Sequence, residues 1–347
     1  MEHGTWHDRG MAQIAVPDTA RAEEWLRGSD DPNVRLLVAT YLDGSGADRS
    51  ELVSAAMEAP VIRSALAGQR ADGSWGADGP PWKRIPQTLW MMKTLAEIGL
   101  GATGAWTRGA EFLAVTAHTD DAVFAIDGRR DGVLSCYVGL AATTYLLGGR
   151  TDLAQPQVRW IRDHQQVRTA GVDRRATPAS HWSEHLAVRY GGCMSDTTCL
   201  VGLVKTGQAL RCWLTSQPDP DIEALLGAIQ LQFLERQLFR ASDGSTLPLG
   251  VTPSKAASWL DLTYPLDWRT DLVEVIDLVA TEEHDVRLQP ALAQLLRCQL
   301  DDGSWPLQRT FRPDALSPLE RRSAVRGSPY VSLRVLCALA KLGPTAV

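Results

Sequence analysis

The chain has 347 residues, 44% of them hydrophobic and 22% charged, with a formal net charge of -6. This profile fits a globular protein with room for a large core, and its acidic balance argues against a general nucleic-acid binder. Six cysteines in a chain this long do not make a disulfide scaffold.

Residues 1–18 read as a flexible lead-in, because Met1 to Arg9 is polar and no apolar core segment marks a signal peptide. Residues 19–347 read as one domain. Two short helices are expected at about 19–27 and 33–42, the second opened by Asp31-Pro32. Helices then dominate, at about 51–68, 87–98, 106–116, 135–147, 153–165, 197–213, 221–239, 270–280, 287–299 and 329–342. No stretch sustains two-residue alternation, so no sheet is required. The most apolar run, Val133 to Leu147, is too short to span a bilayer comfortably and reads as a core helix. Cytoplasmic localisation is the expectation.

The helices fall into two alternating kinds. Those at 51–68, 153–165, 221–239 and 287–299 carry charge on one face; those at 87–98, 135–147, 197–213 and 329–342 are richer in small and apolar residues. An inner ring of buried helices inside an outer ring of amphipathic ones produces that alternation.

The heptapeptide Gln-x-x-Asp-Gly-Ser-Trp occurs at Gln69 to Trp75 and again at Gln299 to Trp305, each copy after one helical stretch and before another. Setting Gly99 against Gly343 extends the repeat: Thr88 meets Ser332, Leu89 meets Leu333, Met92 meets Leu336, Leu95 meets Leu339 and Ala96 meets Ala340. The second copy carries the longer loop, Pro306 to Gly327. Asp-Gly supplies a tight turn, and the Trp packs over the neighbouring hairpin, so Trp75 and Trp305 read as staples.

The heptapeptide resembles the QW repeat of squalene-hopene cyclases and the related repeat of protein prenyltransferase β subunits. Cys193-Met-Ser-Asp-Thr-Thr-Cys199 and Tyr264-Pro-Leu-Asp-Trp268, followed by Asp271-Leu-Val-Glu274, support the likeness. It covers the chain from about Asp31 onward and is to bacterial prenyltransferase/squalene-oxidase-repeat proteins. The resemblance implies an all-α fold, an α/α toroid of five to six helical hairpins.

In such a toroid the inner helices run parallel and their N-termini share one mouth, which collects partial positive charge. The residues at those starts are Thr88, Cys136, Asp196 with Cys199, Asp271 and Tyr330. Three constellations follow. Cys136, Cys193 and Cys199, with His185 or Asp271, form a candidate zinc shell, and toroid relatives use a Cys with Asp or His at this rim. A buried Cys also serves as a small hydrophobe. Asp196, Asp267 and Asp271 are candidate proton donors for alkene protonation, although the Asp-x-Asp-Asp of class II terpene cyclases is absent and Thr119-Asp120-Asp121 is its nearest match. Asp271 also suits a helix N-cap. Trp90, Tyr137, Tyr264, Trp268 and Tyr330 are candidate cavity residues, since aromatic faces stabilise cations.

There is no GxxxxGK[ST], GxGxxG after a strand, HExxH, GxSxG or DDxxD. Three functions stay open: acid-initiated cyclisation or isomerisation of an isoprenoid or other apolar substrate, a zinc-dependent thiol- or prenyl-transfer enzyme, and a non-catalytic ligand- or peptide-binding toroid.

Overall fold

A computed structural model of the protein describes residues 17–44, 48–128, 132–167, 199–241, 243–249, 257–281, 285–310 and 319–342. Thirteen α-helices lie among them: α1 (Thr19–Arg27), α2 (Pro32–Tyr41), α3 (Ser50–Glu58), α4 (Pro60–Ala67), α5 (Ile85–Glu97), α6 (Gly104–Thr116), α7 (Ser135–Leu147), α8 (Thr151–His164), α9 (Leu200–Leu214), α10 (Pro220–Leu234), α11 (Leu272–Val279), α12 (Gln289–Cys298) and α13 (Pro329–Leu339). One antiparallel pair, Pro248–Leu249 with Ala257–Ser258, is the sole sheet among the described residues.

Local chemistry sets most boundaries. Asp18, Asp31, Thr103, Asp219, Asp271 and Ser328 each cap a helix by accepting a backbone N–H with the side chain. Residues 51–68, expected as one helix, break at Pro60: Ala59 before it is extended, at ψ 134°, because the ring of a following proline crowds the helical region. The stretch expected to run to 239 ends at Leu234, and Gln237 and Leu238 take positive φ of 46° and 71°.

The helices form two concentric rings. The inner ring is α2, α5, α7, α9, α11 and α13, with α5 packed on α7, α7 on α9, α9 on α11 and α11 on α13. The join between α2 and α5 is visible where the Tyr41 hydroxyl donates to the Glu97 carbonyl at 2.9 Å, and α13 packs on both α11 and α2, closing the circle. The outer ring is α1, the α3–α4 pair, α6, α8, α10 and α12. Six hairpins therefore make an α/α toroid. Inner helices are buried on nearly every side: α7 buries nine of its thirteen residues. The core lies between the rings, as expected for helices whose outward faces meet amphipathic partners.

The two heptapeptides hold corresponding corners in the same way. Trp75 and Trp305 are fully buried. Their indole N–H groups donate to Ala65 O (2.8 Å) and Leu295 O (2.9 Å) in the preceding outer helix. Their backbone N–H groups donate to the hydroxyls of Thr88 (3.0 Å) and Ser332 (2.9 Å) in the following inner helix. Asp72 and Asp302 each accept from the amide and hydroxyl of the Ser two residues on. Gly73 and Gly303 take φ of +85° and +86°, and a Cβ would lie 2.3 Å from Arg108 O and 2.7 Å from Arg21 Cβ, so glycine is required twice over. The Gln amides reach the next outer helix, Gln69 to Ala105 O (2.7 Å) and Gln299 to Asp18 O (2.7 Å). The second of these ties the last hairpin to the first.

Candidate functional site

The rim where the inner helices begin gathers several of the residues singled out above. The segment leading into α11 runs over it and carries Tyr264, Asp267, Trp268 and Asp271. Tyr264 stacks on Tyr330 at the start of α13, with ring centroids 4.7 Å apart and planes 5° from parallel. Trp268 lies under the Arg269 guanidinium, 5.3 Å from its ring centroid. Tyr137, in the first turn of α7, is buried and stacks near Phe124 at 6.4 Å.

Both described aspartates are committed to cations. Asp271 caps α11 through Glu274 N (3.0 Å) and also accepts from Thr263 N (2.9 Å). Arg334 of α13 grips it with two nitrogens at 2.9 and 2.8 Å. Two oxygens with four donors are fully occupied, so Asp271 has no open position for a transferable proton. Asp267 is 1% exposed, and Arg269 donates to both of its oxygens, Nε to Oδ1 and the terminal nitrogen to Oδ2. Asp196 lies outside the described residues.

A carboxyl that sequence reading missed is Glu320. It sits in the loop before α13, and Ser328, the cap of α13, donates its hydroxyl to Glu320 Oε2 at 2.5 Å. Burial pushes the Glu320 carboxyl up to about 7, against the lowering pull of Ser328 and Arg326. Tyr330 lies within its field: burial first, then Asp31 and Glu320, raise the Tyr330 phenol. A charged residue inside a long polar loop gives no sequence signal of burial, but the loop length itself was visible.

Cys136 and Cys199 face each other electrostatically at the starts of α7 and α9. Burial and then Cys199 push the Cys136 thiol far up. Cys199 caps α9 through Gly202 N at 3.4 Å. Cys193 and His185 lie outside the described residues. Among the described residues, no three of His, Cys, Asp and Glu come together as a metal shell.

Below the rim, the inner helices line the lumen with charge. Lys93 pairs with Glu97 on α5, Lys205 of α9 with Glu274 of α11 at 2.7 Å, and Lys341 after α13 with Asp277 of α11 at 2.5 Å. Burial would raise the Glu274 carboxyl, but Lys205, Lys93 and Arg334 outweigh it and hold the group below its ordinary value. Arg211 caps the carbonyls of Asp277, Leu278 and Ala280. Trp90 stands on the same face of α5, one turn above Lys93. The side chains of Arg334 and Glu274 keep 19% and 11% exposure deep inside the ring, so side chains do not fill the lumen completely.

No family model matches the chain, and no curated protein matches it by sequence. Several solved structures match the chain at low identity. A protein from Actinoplanes is 15% identical with a TM-score of 0.44, covering 94% of this chain and 99% of that one. The type II terpene cyclase MstE from Scytonema, in its apo form, is 13% identical with a TM-score of 0.40, covering 97% of this chain and 92% of that one. A variant of MstE in complex with geranylgeranyl dihydroxybenzoate is likewise 13% identical, with a TM-score of 0.41, covering 92% and 87%. At TM-scores below 0.5 these likenesses add nothing to what the closed ring already establishes. No helix among the described residues is long and apolar enough to cross a membrane.

Proposed function

We propose that this toroid is a terpene cyclase-like enzyme that admits an isoprenoid or similarly apolar substrate at the rim and cyclises or isomerises it. One observation carries this reading: a half-buried carboxyl, Glu320, beside the Tyr264–Tyr330 stack at the mouth of an incompletely filled lumen. The stacked phenol rings offer electron-rich faces to positive charge developing on a substrate.

Glu320 takes the role first sought among the aspartates. Asp271 and Asp267 are saturated by Arg334 and Arg269 and serve to hold the rim in place. A carboxyl with a pKa of about 7 is divided between its two protonation states at neutral pH. Such a group gives and returns protons efficiently, which suits isomerisation. Protonation of an unactivated alkene calls for a stronger acid, so isomerisation, or cyclisation of a substrate with a more basic acceptor, is the favoured chemistry.

The test is product analysis by gas chromatography and mass spectrometry after incubating the full chain with farnesol, geranylgeraniol and squalene. The expected result is a rearranged product whose rate falls by about 10²–10⁴-fold in Glu320→Gln. Turnover that persists in Glu320→Gln removes Glu320 from the chemistry. Binding without any product favours the ligand-holding toroid instead, a reading that the saturation of both aspartates supports.

A further inference from the structure

Six buried side-chain polar atoms among the described residues have no hydrogen-bond partner, and three of them belong to residues around the lumen: Trp90 Nε1, Glu97 Oε2 and Tyr264 Oη. Leaving such a group unpaired costs about 1–3 kcal/mol each, so each favours a partner that can bond it. Tyr264 is 4% exposed. Glu97 is a leading electrostatic influence on its phenol, after burial itself, and Arg334 and Tyr41 also act on it. Trp90 shares the lumenal face of α5 with Glu97, two turns nearer the rim.

The rest of the lumen is satisfied. Lys93, Lys205, Arg334 and Lys341 each have a carboxylate, and Arg211 has three carbonyls. An anionic headgroup would meet no free cation here, and it would have to break a buried pair to gain one. What stands open is one carboxylate oxygen that accepts, one indole N–H that donates, and one phenol that does either.

We infer that the lumen takes an apolar ligand bearing a neutral hydroxyl, seated head-down so that the hydroxyl donates to Glu97 Oε2 and accepts from Tyr264, with its hydrocarbon part rising past Trp90 toward the Tyr264–Tyr330 stack. This rests on the proposed reading that the lumen holds an isoprenoid-like substrate. It adds the headgroup, an alcohol rather than a diphosphate, and the end that enters first.

Three probes of one skeleton test it: farnesol, farnesene and farnesyl diphosphate, titrated calorimetrically into the full chain. Farnesol is expected to bind about tenfold more tightly than either of the others, the worth of one or two net hydrogen bonds. Tyr264→Phe lowers farnesol affinity about five- to tenfold and leaves farnesene binding unchanged, which also shows that the variant folds. Without ligand, Tyr264→Phe melts no lower than the wild type, because it deletes an unpaired buried hydroxyl. Equal affinity for farnesene and farnesol overturns the headgroup assignment alone. Tightest binding of the diphosphate overturns its neutrality. Binding of none of the three removes the isoprenoid reading together with it.

Discussion

The two heptapeptide hairpins are the same corner built twice, and they differ where the site lies. Turn, Trp, Gln and the accepting hydroxyl superpose bond for bond. In the first copy Thr88 follows Trp75 by 13 residues; in the second Ser332 follows Trp305 by 27, an insertion of 14. The first corner is sealed by Arg84, whose guanidinium bonds Ser74 Oγ at 2.7 Å and Asp72 Oδ2 at 2.5 Å. The equivalent position in the second copy is Ser328, and the inserted loop brings Glu320 onto it. The lumenal stripes diverge as well. Pro86, Trp90, Lys93 and Glu97 on α5 correspond to Tyr330, Arg334, Cys337 and Lys341 on and after α13. Interior positions that face the neighbouring hairpin stay alike because packing and backbone donors constrain them. Rim and lumen positions vary because the repeated corner contacts do not constrain them.

The largest expected effects strike what the copies share. Trp75→Ala and Trp305→Ala should each cost about 3–5 kcal/mol, since each empties a fully buried indole site. Urea unfolding should place the two within about 1 kcal/mol of each other. A gap of several kcal/mol would mean that the corners are alike in geometry but not in load.

Next comes the stripe position where the copies differ most, Trp90 against Arg334. Arg334→Ala leaves Asp271 buried and without its cation, and should cost about 3–5 kcal/mol. Trp90→Phe removes only an unpaired indole N–H and should cost under about 1.5 kcal/mol. Equal losses in chemical denaturation would show that Arg334 is a lumen ornament like Trp90, and that Asp271 is held by its backbone donors alone.

The third prediction concerns Glu320. Its carboxyl titrates at about 7 in the fold against 4.5 in the unfolded chain. Between those values the folded state binds the extra proton, so stability from this group is complete below about 4.5 and is lost as pH rises through about 7. Ser328 and Arg326 favour the ionised form. Melting temperature should therefore decline across this window in the wild type. In Glu320→Gln that part of the decline should vanish, with the variant the more stable one above pH 7. An unchanged slope would place Glu320 in solvent. The first copy has no counterpart carboxyl, so Arg84→Gln should lower stability without creating a slope in this window.

Much of the scaffold was legible in the sequence for a definite reason. The alternation of charged and apolar helices reports two rings, and aligning Gly99 with Gly343 pairs Thr88 with Ser332, two hydroxyls with one job. The heptapeptide was recognisable because every residue in it makes a bond that few other residues can make. A third turn of the same kind, Asp243-Gly244-Ser245, escaped notice because it lacks the Gln and Trp, yet Asp243 accepts from Ser245 N and Oγ as in the other two. The site was less legible. Asp267 and Asp271 drew attention as carboxylates at helix starts, but their partners Arg269 and Arg334 come from loop geometry and from a helix 63 residues away. Spacing along α5 and α13 could have exposed the lumenal charges, had Lys93 and Glu97 been set against Cys337 and Lys341. Glu320 was hidden because burial in a loop leaves no periodicity to read.

The smallest expected effect is the most local. Gln69 and Gln299 each bridge their own turn and the next outer helix, so Gln→Ala at either position should cost about 1–2 kcal/mol. The consequences should differ in place. Gln69 reaches α6, which is joined covalently to hairpins on both sides and held again where Trp106 donates its indole N–H to Met92 O at 2.9 Å. Gln299 reaches Asp18, the cap of α1, 281 residues away in sequence. Asp18 N also donates to Gln299 Oε1 at 3.2 Å, so the amide holds the cap from both sides. Hydrogen exchange should therefore quicken along α1 in Gln299→Ala, because the variant loses both bonds that hold its cap to the last hairpin. In Gln69→Ala, exchange along α6 should hardly change. Equal and diffuse acceleration in both variants would mean that the ring opens as one unit and that no single amide closes it.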